Sequence, residues 1–438
     1  MVIYYKGQIS KIKLSVLPLF NIFAMLMKII YNLTIQLLSF IYRFAALFNK
    51  KAKLFTAGHN DIFEGVLKFA ETTDGVVWIH CASLGEFEQA RPVIEAIKEK
   101  FPNKKILLTF FSPSGYENKK NYDKADAIFY LPWDTHKNAK RFIDMVNPVL
   151  AIFVKYEFWY HYSDQLKKRN IPLISVSCIL RHDQIFFKSY GGLFRKILSH
   201  FDHFFAQNQE TIELLASLNI NGTLAGDTRF DRVNQIIHSG SEIEIARRFK
   251  NNQKLMVAGS CWKEDTDVLC PFINDNHLQL KFIIAPHEIS EDYIKSIENS
   301  LSVKSIRYSA AKDNVEEFSV LIIDNIGMLS QLYRYGEFAY VGGAFGDGLH
   351  NILEAACFGV PIFFGDQNYK KYQEANDLIM RGGAFEISGY AELKSKYELL
   401  NNRPENFLLA CEVTKSYVQE NLGATKKIMN YCTKILTA

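Results

Sequence analysis

A strand-like run, VVWIH (76–80), leads into CASLGEFEQARPVI (81–94), where a Ser-Leu-Gly turn sets the carboxylate of Glu86 on the first turn of a helix. Two chemistries suit a carboxylate in that place. It can cap the helix by accepting free backbone N–H groups. It can also serve as a general base, held by a rigid helix at the carboxyl end of a strand. For a base, the positive helix end is unfavourable because it lowers the carboxylate pKa, and burial acts the other way.

A second stretch, FAYVGGAFGDGLHNILEAACFGVPIFFG (338–365), has a strand ending in Gly342-Gly343, a loop, and a helix opening near His350-Asn351 with Glu354 one turn in. Glycines let a ligand approach the backbone, and a carboxylate there can accept two ribose hydroxyls. The plainer reading is a helix capped by Asn351 with Glu354 three residues on. AGSCWKED (258–265) and IDNIGMLSQLY (323–333) are weaker strand–turn–helix junctions of the same kind, and there is no GxGxxG or Walker loop. Asp265-Thr266-Asp267 has the DxD spacing of metal-dependent sugar transferases, but it falls in an acidic helix start and reads better as a solvated face. His350 has no second His or Cys at ligand spacing, so it is not read as a metal ligand.

The elements that must position these residues are short apolar strands separated by amphipathic helices. Strand candidates in the first half are 76–80, 105–111, 127–131, 149–154, 172–177 and 204–207, with helix-like segments at 89–100, 136–146 and 211–218. A polar stretch with a Ser-Gly-Ser turn (230–252) interrupts the pattern, which restarts at 254–259, 280–286, 319–324, 338–343 and 361–365. Such alternation specifies parallel α/β sheets, and 438 residues are too many for one core. The chain reads as two doubly wound, Rossmann-like domains facing a cleft, 51–235 and 236–420. Residues 421–438 read as a C-terminal helix able to cross back to the first domain.

Composition is that of an ordinary folded protein, 48% hydrophobic and 22% charged, and a net charge of +4 makes no case for nucleic acid. The seven cysteines are scattered without a CxxC pair, which fits free thiols in a reducing compartment. The first 60 residues hold no Asp or Glu, yet carry Lys6, Lys11, Lys13, Lys28, Arg43, Lys50, Lys51 and Lys53. Two apolar runs, 14–27 and 29–42, flank Lys28. Each is shorter than the roughly 20 residues a span needs. Residues 1–50 therefore read as an anchor embedded in one leaflet, with basic residues on anionic head groups; a span through 29–48 is the alternative. The Lys50-Lys51-Ala52-Lys53 cluster keeps the following domains on the cytoplasmic side.

Together these segments resemble the 3-deoxy-D-manno-octulosonic acid (Kdo) transferases of lipopolysaccharide synthesis, over about residues 27–425. VGGAFGDGLHNILEAACFGVPIFFG is similar to the family's VGGS…GGHNPLEPAA…PV..G, and WIHCASLGEFEQARPVI to its W.HA.S.GE….P.I. LPWDTHKNAKRFIDMVNPVLAIFVKYEFWYHY (131–162) and AGDTRFD (225–231) match further family segments, and 27–55 reads like a family N-terminus, with 1–26 as an extension. The resemblance implies a GT-B fold and inverting transfer of Kdo from CMP-Kdo to a hydroxyl of a lipid A precursor (lipid IVA-like) at the inner membrane, without a metal or other cofactor. It implies Glu86 as general base, with Glu157 and Arg229 stabilising the transition state. The CMP site it implies comprises Pro286, His287, Ile326, Gly327, Met328, Asn351, Ile352, Leu353 and Glu354.

The sequence departs from the family in several places. Pro-Arg-His becomes Pro286-His287-Glu288, Met-Gly-Glu becomes Ile326-Gly327-Met328, and Ser-Thr becomes Ser260-Cys261. Ile352 replaces a proline, Leu349 a glycine, and Arg229 a lysine. Backbone contacts survive such changes and side-chain contacts do not. The rival readings are another GT-B nucleotide-sugar transferase or an epimerase, and a non-catalytic membrane-bound protein that keeps the fold.

Overall fold

The computed structural model describes residues 17–437 apart from 60, 61, 72, 74, 240, 241 and 313, with side chains from Met25 onward. The basic residues expected at 6, 11 and 13, the start of the extension over 1–26, and Gly240-Ser241 lie outside the described residues.

The chain divides into two compact units. The first runs to Gly226 and includes the segment from Thr425; the second is Asp227–Ala424. The sequence places the division at 235/236, inside what the structure shows to be one helix, Thr228–Ser239. Phe230, Val233 and Ile236 of that helix are buried in the core of the second unit, so the helix belongs to that unit.

The first unit holds strands β1 (Val76–Cys81), β2 (Lys105–Phe110), β3 (Ala127–Tyr130), β4 (Leu150–Val154), β5 (Leu173–Cys178), β6 (His203–Ala206) and β7 (Gly222–Leu224). They form one parallel sheet in the order β3-β2-β1-β4-β5-β6-β7. The second unit holds β8 (Lys254–Cys261), β9 (Leu280–Pro286), β10 (Ser305–Arg307), β11 (Val320–Ile322), β12 (Phe338–Val341), β13 (Ile362–Gly365) and β14 (Ala384–Ile387). Its parallel order is β10-β11-β9-β8-β12-β13-β14. The central strands β1, β4 and β9 are buried at every position, as strands covered by helices on both faces require.

Four helices precede or follow β1: α1 (Leu17–Ala45), α2 (Lys50–Gly58), α3 (Ile62–Ala70) and α4 (Leu84–Lys100). Lys28 does not break α1. Its Nζ lies 5.5 Å from the Tyr160 ring centroid, on a side of the helix that docks lengthwise on the first unit. On that side Tyr31 donates its hydroxyl to Asp134 Oδ2 at 2.5 Å, Asn32 Oδ1 lies 2.7 Å from His161 Nε2, and Ile35 is buried. Tyr42 packs on Phe55 and Trp133. The opposite side exposes Leu26, Ile30, Leu33, Leu37, Phe40 and Phe44.

Asp134 is the fixed point of this docking. Besides Tyr31 it accepts the backbone N–H groups of His161 and Tyr162, at the start of the helix Tyr160–Lys168. Burial pushes its carboxyl up to about 6, against the pull of these hydrogen bonds. Tyr31→Phe removes one charge-assisted bond, worth about 1–3 kcal/mol. The expected result is faster hydrogen exchange across 25–45 with the β-sheet core unchanged; unchanged exchange there would show that apolar contacts alone hold α1.

Candidate active site

The strand order of the first sheet reverses between β1 and β4, and ligands of open α/β sheets bind at the carboxyl ends of strands at such a point. Glu86 follows β1 and Glu157 follows β4. Glu86 Oε2 accepts the backbone N–H groups of Ala82 (2.5 Å) and Ser83 (3.2 Å), which caps α4. Its Oε1 takes no protein donor among the described residues. Capping and chemistry therefore use different oxygens of one carboxyl group. Burial, then the charge of Glu157, push the Glu86 carboxyl up to about 7, against the Ala82 and Ser83 N–H groups and Lys155. Burial outweighs the helix end. Glu88, two residues on, faces Lys119 at 3.4 Å instead.

Glu157 is buried, 8% exposed. Its Oε2 accepts Trp159 Nε1–H at 2.7 Å and lies 2.9 Å from His80 Nε2. Of the neighbouring aromatics, Tyr160 and Tyr162 are core, and Phe158 packs on Phe186 and Phe201.

Arg229 lies in the second unit, on the first turn of the helix Thr228–Ser239. Its Nη2 reaches Asp227 at 2.8 Å and its Nη1 reaches Glu374 at 2.9 Å. Burial alone would lower its pKa; the two carboxylates more than offset that and hold the guanidinium charged. Asp231, two residues on, accepts the backbone N–H of Gly423.

The second sheet reverses between β8 and β12. There the loops after β8, β9 and β12 bring three rings together. Trp262 stacks on His287 with centroids 4.1 Å apart, His287 lies 4.6 Å from His350, and Trp262 Nε1–H donates to His350 Nε2 at 3.1 Å. Burial, then His287, push His350 down to about 4. Asp265 of the DxD stretch is not solvated. It accepts from the backbone N–H groups of Trp262 and Gly343 and from the Tyr340 hydroxyl, clamping the Gly-Gly loop, whereas Asp267 pairs on the surface with Lys263. A Cβ at Gly342 would sit 2.4 Å from the Ser260 carbonyl oxygen and 2.6 Å from Asp265 Oδ2, so the clamp needs glycine there.

Of the residues implied for CMP, Pro286, His287 and Asn351 fall at this cluster of strand ends. Asn351 donates to Glu354 Oε1 at 3.1 Å. Ile352 and Leu353 are buried in the core, so only their backbone can face a ligand. Ile326 and Gly327 form an exposed turn after β11, Gly327 at φ 101°, and Met328 precedes the short helix Leu329–Leu332. Trp262, His80 and Asp134 are the residues sequence reasoning passed over. The His of WIHCAS and the Asp of LPWDT were the available signals.

Residues 55–232 match the family described as 3-Deoxy-D-manno-octulosonic-acid transferase (kdotransferase). The chain is 29% identical over 339 residues to the 3-deoxy-D-manno-octulosonic acid transferase of Aquifex aeolicus, covering 76% of this chain and 88% of that one. It is 26% identical over 372 residues to the Rickettsia bellii protein of the same name, covering 80% and 88%. Over most of its length the chain is similar to Kdo transferases. The Kdo transferase match spans Glu86, Glu157 and Arg229, the three residues on which the motif reading rests. Among solved structures, UDP-GlcNAc 2-epimerase from Neisseria meningitidis, bound to UDP-GlcNAc, superposes with a TM-score of 0.59 at 14% identity, covering 82% of this chain and 99% of that one. At that identity the likeness speaks for the GT-B fold alone. The sequence likeness is to glycosyltransferases of lipopolysaccharide biosynthesis.

Proposed function

We propose that this protein is a Kdo transferase that moves Kdo from CMP-Kdo to a hydroxyl of a lipid A precursor, with inversion, at a membrane surface. The observation that carries the reading is the Glu86 carboxyl: one oxygen fixed by two backbone N–H groups, the other unengaged, the group held near about 7. A base with that proton affinity suits neutral pH. Oε1 takes the hydroxyl proton as the acceptor oxygen attacks the anomeric carbon, and the bond to the phosphate oxygen breaks, CMP leaving with the electron pair. The Glu157 carboxylate faces the positive charge that develops on the sugar. Arg229 offers its guanidinium to the leaving phosphate, moderated by Asp227 and Glu374. Asn351 and Glu354, with the backbone at 286–287, 326–328 and 352–353, are the contacts for CMP. The reading uses no metal or other cofactor.

The test is incubation with CMP-Kdo and a tetra-acylated lipid A precursor. Released CMP and a lipid heavier by Kdo are expected; neither product would sink the reading. One observation favours a second reading, a different nucleotide-sugar enzyme or a non-catalytic binder: the turn at 326–328 lacks the family's carboxylate. A parallel arm with UDP-GlcNAc detects epimerisation.

The anchor reading rests on α1. Met25–Ala45 is long and apolar enough to cross a membrane by length and composition. Its polar side is committed to the first unit, so we read it as lying in one leaflet rather than as a span through 29–48, with the units on the cytoplasmic face. Replacing Leu33, Leu37, Phe40 and Phe44 together by serine removes the exposed stripe. Each buried apolar side chain contributes about 1.5–3 kcal/mol. Co-sedimentation with phosphatidylcholine–phosphatidylglycerol vesicles is expected to fall at least about tenfold. Undiminished binding would move the anchor elsewhere.

A further inference from the structure

We infer that His80 is a positioning residue: through a one-way chain of hydrogen bonds from Trp78 and Thr109 it delivers an N–H to Glu157 and fixes that carboxylate beside Glu86. The inference deepens the transferase reading and rests on it for its kinetic consequence, but its structural core stands on proton accounting alone.

The chain starts at Trp78, whose indole N–H can only donate. Trp78 Nε1 lies 2.8 Å from Thr109 Oγ1, so the hydroxyl accepts there. The hydroxyl's single proton is then free to go to His80 Nδ1, 2.9 Å away. With Nδ1 accepting, the neutral ring carries its proton on Nε2, which lies 2.9 Å from Glu157 Oε2. Trp159 Nε1–H donates to the same oxygen at 2.7 Å. Oε2 thus receives two donors, the arrangement an ionised carboxylate favours. His80 and Thr109 are fully buried, so water does not supply a substitute partner. Register explains the placement: His80 on β1 pairs directly with Thr109 on β2, while Glu157 follows β4 on the other flank of β1.

The competing tautomer has Nδ1–H donating to the Thr109 backbone carbonyl at 3.1 Å, with Nε2 accepting from Trp159 at 3.2 Å. Nε2 and Oε2 are close enough that a proton must lie between them. That tautomer therefore requires Glu157 to be protonated, which would remove the charge that helps hold the Glu86 proton. The groups facing this pair are Glu86 on α4, Lys155 after β4, Cys81 on β1 and Tyr31 on α1.

Two measurements test the inference. The first is a long-range 1H–15N correlation spectrum of the full-length protein with 15N-histidine, assigned by comparison with His80→Gln. A neutral ring protonated on Nε2 is expected near pH 7.5; protonation on Nδ1 overturns the inference whatever the activity. The second is kinetic. Glutamine can present an N–H near the place of Nε2 and phenylalanine cannot. His80→Phe is expected to lower kcat about 10- to 100-fold with KM little changed, the scale of loss from a displaced catalytic group. His80→Gln is expected to remain within about threefold of wild type by the same argument. Equal losses in both variants overturn the inference. If His80→Phe does not fold, the spectrum and the glutamine variant decide it. A wild type with the Nε2 tautomer but no Kdo transfer would sink the functional reading and leave the hydrogen-bond chain standing.

Discussion

Glu86→Gln is expected to abolish transfer and, above pH 7, to stabilise the protein. The Glu86 carboxyl sits at about 7 in the folded chain against an ordinary 4.5. Between those values the folded state holds a proton that the unfolded state has lost. Stability therefore falls as pH rises through that window, and the full penalty is present above about pH 7. One pKa unit is worth about 1.4 kcal/mol, and partial exposure reduces the sum, so the penalty is on the order of 1–3 kcal/mol. Glutamine carries no charge, and its carbonyl oxygen still accepts from Ala82 and Ser83. A Tm gain of about 2–6 °C is expected at pH 8, and none at pH 5. Turnover is expected to fall at least about 10²-fold, while Glu88→Ala, facing Lys119, leaves it near wild type. The pH profile of wild-type kcat/KM should rise through about pH 7 as the base loses its proton. A variant that loses stability at both pH values would make Glu86 a cap and nothing more.

What the sequence disclosed follows the range of each interaction. Strands such as 280–286 are legible to the residue because both faces are buried and the run is continuously apolar. β7, β10 and β14 are edge strands of three or four residues with partly exposed positions, and that signal is absent. Glu86 is legible because its capping partners are three and four residues away. The role of His80 is not, because it depends on Thr109 and Glu157, 29 and 77 residues distant, and so on the register of β1. Lys28 looked like a break in an apolar run until the Tyr160 ring gave it a side to face. Ile352 and Leu353 matched a binding motif in sequence, yet the core claims both side chains. Motif position fixes a backbone location; burial decides what the side chain can do there.

Arg229→Met is expected to be the most destabilising single change, about 3–5 kcal/mol. The Arg229 guanidinium is the cation shared by Asp227 and Glu374, whose side chains are 6% and 9% exposed. Removing it takes from two buried carboxylates the cation they share. Loss of the cation disfavours their charged forms, so the variant loses stability as pH rises. The deficit relative to wild type should be smaller at pH 5 than at pH 8, as measured by urea denaturation at each pH. Arg229→Lys keeps the charge that the family has here but loses the fork that reaches both partners; a deficit of about 1–2 kcal/mol is expected. Neutralising the partners separates structure from chemistry. In Arg229→Met/Asp227→Asn/Glu374→Gln both carboxylates are gone, and stability should return most of the way to wild type. If Arg229 serves the leaving phosphate, that refolded variant stays at least about 10²-fold slower than wild type in CMP release. Recovery of turnover along with stability would assign Arg229 to the fold of the second unit and remove it from the chemistry.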